Sequence, residues 1–311
     1  MPAIASHYLF GQEVYKQLII KNRKDIIALI RKHKLDYNIG LQGPDPLFYY
    51  KPTSKSKVAE YGHQIHNEPA ALFLRNAAKH IRQTKDIRAF VYAMGFVSHH
   101  VLDRETHETI EELAPNPSDH IKLETELDRE LLLREILSRD AKHRQEKYLK
   151  KHREVSGFQI FQKEDPSTDL YMPMEFFSPK PSVRPEKIQR AKFITYEKNL
   201  EKSIAPLYPA MTERQLKTAL DSFIRYTKIL YSPTGTNAVV IGYLQNMLTQ
   251  RDTFSSLAMT RKRYDSFVEP ARKIVPIYDE SSELAADMII NFHDSVRFYS
   301  KLADYFDQDF H

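Results

Sequence analysis

The chain has 311 residues, 41% apolar and 28% charged, with a formal net charge of +5. That length allows one large domain or two smaller ones, and the composition is ordinary for a globular protein. Cysteine is absent, which excludes disulfides, thiolate metal sites and a cysteine nucleophile, so any metal must be held by histidine, carboxylate or main chain.

The first segment, "MPAIASHYLFGQEV", has neither the basic nor the long apolar region of a signal peptide. No apolar run reaches the length of a membrane span, and a cytoplasmic protein is expected. Residues 10–34 carry Val14, Leu18, Ile26, Ile27 and Ile30 at helical spacing. Gly40, Gly43, Pro44, Pro46 and Pro52 then break the helix over 37–57. Residues 68–82 read as a helix with Pro69 in its first turn, and 86–107 as a second, strongly apolar one. After the loop 114–120, residues 118–138 form an amphipathic helix with Leu123, Leu127, Leu131 and Leu132 on its apolar face and Ser118 or Asp119 as cap. Further helices are expected at 194–206, 212–231, 237–250, 256–275 and 281–306, with a Thr212–Gln215 capping box opening the second of these. With few glycines and no strand-rich region, the fold class is all-α.

These segments divide the chain into a helical core at 1–139, which holds the candidate metal ligands considered next, a middle region at 140–192 and C-terminal helices at 193–311. The last are expected to pack on the core as a single domain. The middle region is first highly charged and then rich in proline and aromatics. It reads as an insertion or lid, or equally as a solvated connection.

Nine of the thirteen histidines lie in the first 120 residues, which directs attention to their spacing. In "GFVSHHVLDRETH", His99, Asp103 and His107 stand at i, i+4 and i+8, along one face of a helix. Surrounded by apolar residues, an aspartate between histidines needs a partner or a metal to offset its desolvation. A solvent-facing polar stripe is the competing reading. His120 and Glu124 repeat the i, i+4 spacing on the next helix, a common two-ligand zinc arm. "YGHQIHNE" offers His63 and His66, and "QGPDPLFYY" places Asp45 between prolines, where Pro46 favours an extended backbone. Phe48, Tyr49 and Tyr50 follow as pocket or core aromatics. His100 points off the His99 face.

The ordered segments "PAIASHYLFGQEV", "IGLQGPDPLFYY", "YGHQIHNEPAALFL", "GFVSHHVLDRETH" and "HIKLETELDRELL", spanning 2–133, resemble the zinc-dependent phospholipase C family, which is related to the fungal single-strand nucleases. The resemblance implies an all-α bundle with a buried cluster of up to three zinc ions that hydrolyses phosphate esters. Carried over by motif, the first ion takes Asp45, His99, Asp103 and His66, which is preferred to His63 because it ends the pattern G-x-x-I-H, with His63 kept as an outer neighbour. The second takes His107, His120 and Glu124. The third takes Asp103, as bridge, and His7. The Asp103–His107 interval is shorter here than in secreted members. Those members also present an N-terminal Trp, and here removal of Met1 would present Pro2 instead.

The function implied is phospholipase C-like hydrolysis by a zinc-activated hydroxide, with Asp45 and Asp103 catalytic and a phospholipid or other phosphoester as partner. A single-strand nuclease or phosphomonoesterase acting on nucleotides or nucleic acid would use the same cluster; the basic run 141–153 reads first as a solvated charged helix, and otherwise as a nucleic-acid track or a contact for anionic lipid headgroups. A non-catalytic helical interaction protein stabilised by metal is the reading from a different class.

Overall fold

The computed structural model describes residues 4–52, 55–131, 134, 195–230 and 264–310. Among these residues all regular structure is helical, as expected. Met1, Pro2, the region 140–192 with its basic run, and the expected helix 237–250 lie outside the described residues. No helix among the described residues is long and apolar enough to cross a membrane.

The N-terminal stretch forms two helices where its periodicity reads as one. The first, α1 (Ile4–Ile20), ends at Asn22, whose φ of 56° is left-handed. The Asn22 N–H donates to Ile19 O and the Arg23 N–H to Leu18 O, the paired bonds of a Schellman stop. Asparagine tolerates that conformation better than most residues, and a hydrophobic pattern cannot register it. The second helix, α2 (Lys24–Lys32), is tied down by Arg23, whose guanidinium pairs with Asp294 at 2.8 Å and Asp25 at 3.0 Å.

The region expected to break helix begins with another one, α3 (Lys34–Gly40), followed by a 3-10 turn at Asp45–Tyr49. Asp45 therefore opens a turn and is not in the extended loop expected before Pro46. Pro46 sits in the first turn, where its missing N–H leaves no bond unmade. Next come α4 (Lys57–His66), capped by Ser56, and α5 (Ala70–Thr84), which Pro69 precedes.

The longest element of this half is α6 (Ile87–Leu113), capped by Asp86, which accepts from the Arg88 and Ala89 N–H groups. Its residues 89–102 are all buried, the pattern of a helix enclosed on every side. The helix α7 runs over 117–131. Its cap is Asn116, whose Oδ1 accepts from the Asp119 N–H at 2.9 Å, not the expected Ser118 or Asp119. A capping side chain takes the N–H two or three residues after it, and Asn116 stands three before Asp119.

Beyond the undescribed stretch are α8 (Leu200–Ile204) and α9 (Glu213–Leu230). The expected capping box opens α9: the Gln215 N–H donates to Thr212 Oγ1 and the Thr212 N–H to Gln215 Oε1. The last long helix, α10 (Val268–Phe298), runs unbroken through the interval between the helices expected at 256–275 and 281–306, of which residues 256–263 lie outside the described residues. It runs straight through Pro276, since packing against α6 and α1 outweighs one missing backbone bond.

Two close contacts set the frame for the site. Asp36 on α3 is fully buried and takes a two-pronged bond from Arg88 on α6, both contacts 3.0 Å. Beside it, Gly40 and Gly95 let the two helices touch backbone to backbone: a Cβ on Gly95 would lie 2.4 Å from Tyr37 O. The helix-propensity gain of Gly95→Ala, about 1 kcal/mol, is smaller than the cost of forcing two backbones apart. We expect Gly95→Ala to destabilise the fold by about 2 kcal/mol, read as a lower urea midpoint; an unchanged or higher midpoint would refute the close crossing.

Candidate metal centre

Five elements deliver side chains to one region. From α6, His99 and Asp103 project one turn apart, His99 fully buried and the Asp103 side chain 17% exposed. His99 Nε2 lies 3.1 Å from Asp103 Oδ2, and His7 Nε2 from α1 lies 3.2 Å from Asp103 Oδ1. The carboxylate thus offers one oxygen to each histidine. The His7 and His99 rings are 4.2 Å apart.

Asp45 arrives over the other side of His99. Its Oδ1 is 3.2 Å from His66 Nε2 and 4.0 Å from His99 Nε2. Gly43 makes this approach feasible. It adopts φ +50°, and a Cβ there would fall 2.2 Å from His99 Cδ2. The Tyr92 hydroxyl donates to Gly43 O at 3.1 Å and meets the Tyr208 hydroxyl at 2.6 Å, pinning the loop. His66, at the end of α4, donates from Nδ1 to Gly62 O at 2.8 Å. That bond fixes the tautomer and leaves Nε2 to face Asp45, the arrangement found around ligating histidines.

Of the two histidines on α4, only His66 enters the group. His63 is exposed and packs on Phe48, with ring centroids 4.6 Å apart. His100 is fully buried but belongs elsewhere, among Tyr305, Phe306 and Phe310. Phe48 is half-buried near His66, whereas Tyr49 packs in the core on Phe223.

The second predicted group is looser. His120 Nε2 and Glu124 Oε1 on α7 are 3.2 Å apart, and the His107 ring lies 5.6 Å from that of His120. His107 Nε2, however, turns to Glu111 Oε1 at 3.0 Å. The two sets with ligand atoms mutually within 4.8 Å among the described residues are His7–Asp45–His99 and His66–His99–Asp103. A cavity of about 160 Å³ joins the groups, with His66, Asp103, His107, His120 and Glu124 on its walls between Phe48 and Phe310.

The chemistry of these atoms suits a divalent ion. Both Asp45 oxygens, His7 Nδ1 and both His99 nitrogens are buried without a hydrogen bond of normal geometry among the described residues. Orphaned buried atoms are costly and rare, and an ion bound by nitrogen and oxygen would satisfy several at once. Charge shows the same tension. Burial works against a proton on His7, but Asp103, with Asp45 and Asp128 behind it, outweighs burial and raises its pKa. His66 follows the same balance with Asp45. Burial would raise the pKa of Asp103, yet His99 and His7 hold it well below the usual carboxylate range.

Three contributors escaped sequence reading. Glu111 stands at i+4 from His107, a spacing visible in the sequence. Asp128 continues the His120, Glu124 progression on α7. Phe310 gives no local signal, yet its N–H donates to His66 O and its ring lies 5.8 Å from that of His99.

Fold and site together define an all-helical protein with a buried histidine–aspartate centre of metal-binding type. The family model for zinc-dependent phospholipase C matches residues 6–171, more than half of the chain, and the chain belongs to that family. At family level it is a metal-dependent phosphoesterase with a phosphoester substrate. Searches of curated proteins and of solved structures find no match.

Zinc content tests the grouping. His66→Ala, His99→Ala and Asp103→Ala should each lower bound zinc per chain, while His63→Ala should leave it unchanged; equal loss from His63 and His66 would refute the assignment. The raised pKa values of His7 and His66 mean that both keep a proton to higher pH than free histidine. Zinc must displace those protons, so its affinity should fall as pH drops through the raised values. Calorimetry in buffers of different ionisation enthalpy should then show proton release near neutral pH.

Proposed function

We propose that the protein hydrolyses a phosphate ester in the cavity beside Asp103, with a phosphodiester of phospholipid type as its substrate. The observation that carries this reading is that buried, hydrogen-bond-deficient atoms of Asp45, His7 and His99 lie directly against His66 and Asp103, which form the wall of a partly open cavity. Asp45, His66, His99 and Asp103 would hold one zinc ion, His7 with Asp103 another, and His107, His120 and Glu124 a third. Bound zinc supplies Lewis acidity towards phosphate oxygens and lowers the pKa of water.

The chain's own groups have distinct tasks. Asp103 faces His7 with one oxygen and His99 with the other, and would serve as a ligand shared between their ions. Asp45 would offer one oxygen as ligand, while the other orients the attacking water, takes its proton as the new P–O bond forms, and returns it to the alkoxide that leaves. His66 is held in orientation by Gly62 O. Phe48 and Phe310 wall the cavity and keep bulk water from its sides. Glu111, beside His107 Nε2, must swing away for His107 to ligate.

The test is a panel of phosphatidylcholine vesicles, bis-p-nitrophenyl phosphate, p-nitrophenyl phosphate and single-stranded DNA, with zinc-loaded protein. Hydrolysis of the lipid and the diester, lost on chelation and restored by zinc, is expected. Asp45→Asn should lower the rate by about 100-fold or more, the contribution of a positioned general base. Preference for DNA or for the monoester would move the substrate within the same chemistry. Zinc-loaded protein that cleaves nothing would defeat the catalytic reading.

A further inference from the structure

Asp128 lies on α7, two turns beyond His120 and one beyond Glu124, and is 1% exposed. Its Oδ2 accepts from the Ala5 N–H at 3.0 Å, and its Oδ1 accepts from the Ser6 N–H at 2.6 Å and the Ser6 hydroxyl at 2.5 Å. Ala5 and Ser6 are the second and third residues of α1. Their N–H groups are the ones a helix's own capping side chain ordinarily takes. Here the cap comes from another helix, more than a hundred residues away in sequence. A carboxylate in that place also complements the positive end of the helix dipole, which makes its burial tolerable. The residue immediately after the capped pair is His7, whose Nε2 meets Asp103.

We propose that Asp128 is a positioning residue of the metal centre. By capping α1 from α7 it fixes where His7 meets Asp103, and it couples that pair to the His120–Glu124 arm on its own helix. A shift of α7 would thereby move both arms together. The inference rests on the reading above that His7 and Asp103 share an ion.

Asp128→Asn keeps the shape but replaces one acceptor by a donor that faces the N–H groups of α1. The experiment measures zinc per chain and its affinity by chelator competition, with circular dichroism and unfolding midpoint alongside. One zinc equivalent should bind about ten- to a hundredfold more weakly, the effect typical of outer partners of ligating groups. The remaining zinc should bind as in the wild type. Combining Asp128→Asn with His7→Ala should cost that equivalent no more than His7→Ala alone, because both changes remove the same contact. A loss spread over all the zinc, or an additive double variant, would reduce Asp128 to general stability and overturn the proposal. So would unchanged zinc affinity in folded Asp128→Asn. If that variant does not fold, Ser6→Ala, which removes only the hydroxyl contact, takes its place: a smaller selective loss is expected, and none refutes the proposal. Wild-type protein that takes up no zinc would instead defeat the metal reading itself.

Discussion

The constraint on which the structure depends is the cost of holding His99, His7, Asp45 and His66 away from water, with the partly exposed Asp103 against them. Polar atoms without partners in such surroundings cost several kcal/mol each in the worst case. The fold tolerates them because they face one another at 3.1–4.0 Å across shared space. Opposite charges offset part of the desolvation, as the raised histidine and lowered Asp103 pKa values show. What they leave unmet is the hydrogen bonding of Asp45 and His99. A divalent cation meets that need directly, and the match to a zinc-dependent family agrees with the chemistry of the donor set.

The rest of the molecule then reads as support for that grouping. The helix α6 is apolar on all sides over its first half and carries the polar progression only in its second. Its buried half forms a pedestal: Gly95 admits α3 to backbone contact, and the chain leaving α3 turns at Gly43 against the His99 ring to present Asp45. The helices α1 and α7 approach the other side, joined through Asp128. Residues 308–310 close a further wall, with the Ala70 N–H donating to Gln308 O and the Phe310 N–H to His66 O. Phe310 lies well beyond the residues the family model matches, so part of this cavity's wall is particular to the chain's later sequence.

The legible parts of the sequence were those set by local periodicity or short motifs. The all-helical class follows from 3.6-residue spacing, the Thr212–Gln215 box from four adjacent residues, and the helical faces of His99–Asp103 and His120–Glu124 from i, i+4 spacing. What stayed hidden depends on backbone conformation or distant contacts. The break after α1 hangs on Asn22 taking a left-handed conformation that no hydrophobic pattern encodes. The continuity of α10 through Pro276 is a tertiary override of a strong local signal. The preference for His66 over His63 follows from the pattern G-x-x-I-H, but the bond from His66 Nδ1 to Gly62 O that orients the ring is visible only in the fold. Asp128 and Phe310 reach the centre only through folding, across 122 and more than two hundred residues respectively.

His99 and His100 show how finely this depends on helix phase. They are adjacent, equally buried and the same chemical group. One step along an α-helix turns the side chain by about 100°, and that rotation separates two environments. His99 meets Asp103, His7 and Asp45. His100 meets Tyr305, Phe306 and Phe310, with neither ring nitrogen hydrogen-bonded among the described residues. Burial, partly offset by Asp103, pushes its pKa down to about 3. At neutral pH it is therefore an uncharged ring filling apolar space. Phe310, one part of that apolar wall, is the same side chain that packs against His66 and His99. One aromatic residue thus borders both environments, while helix phase turns His100 away from the centre's chemistry.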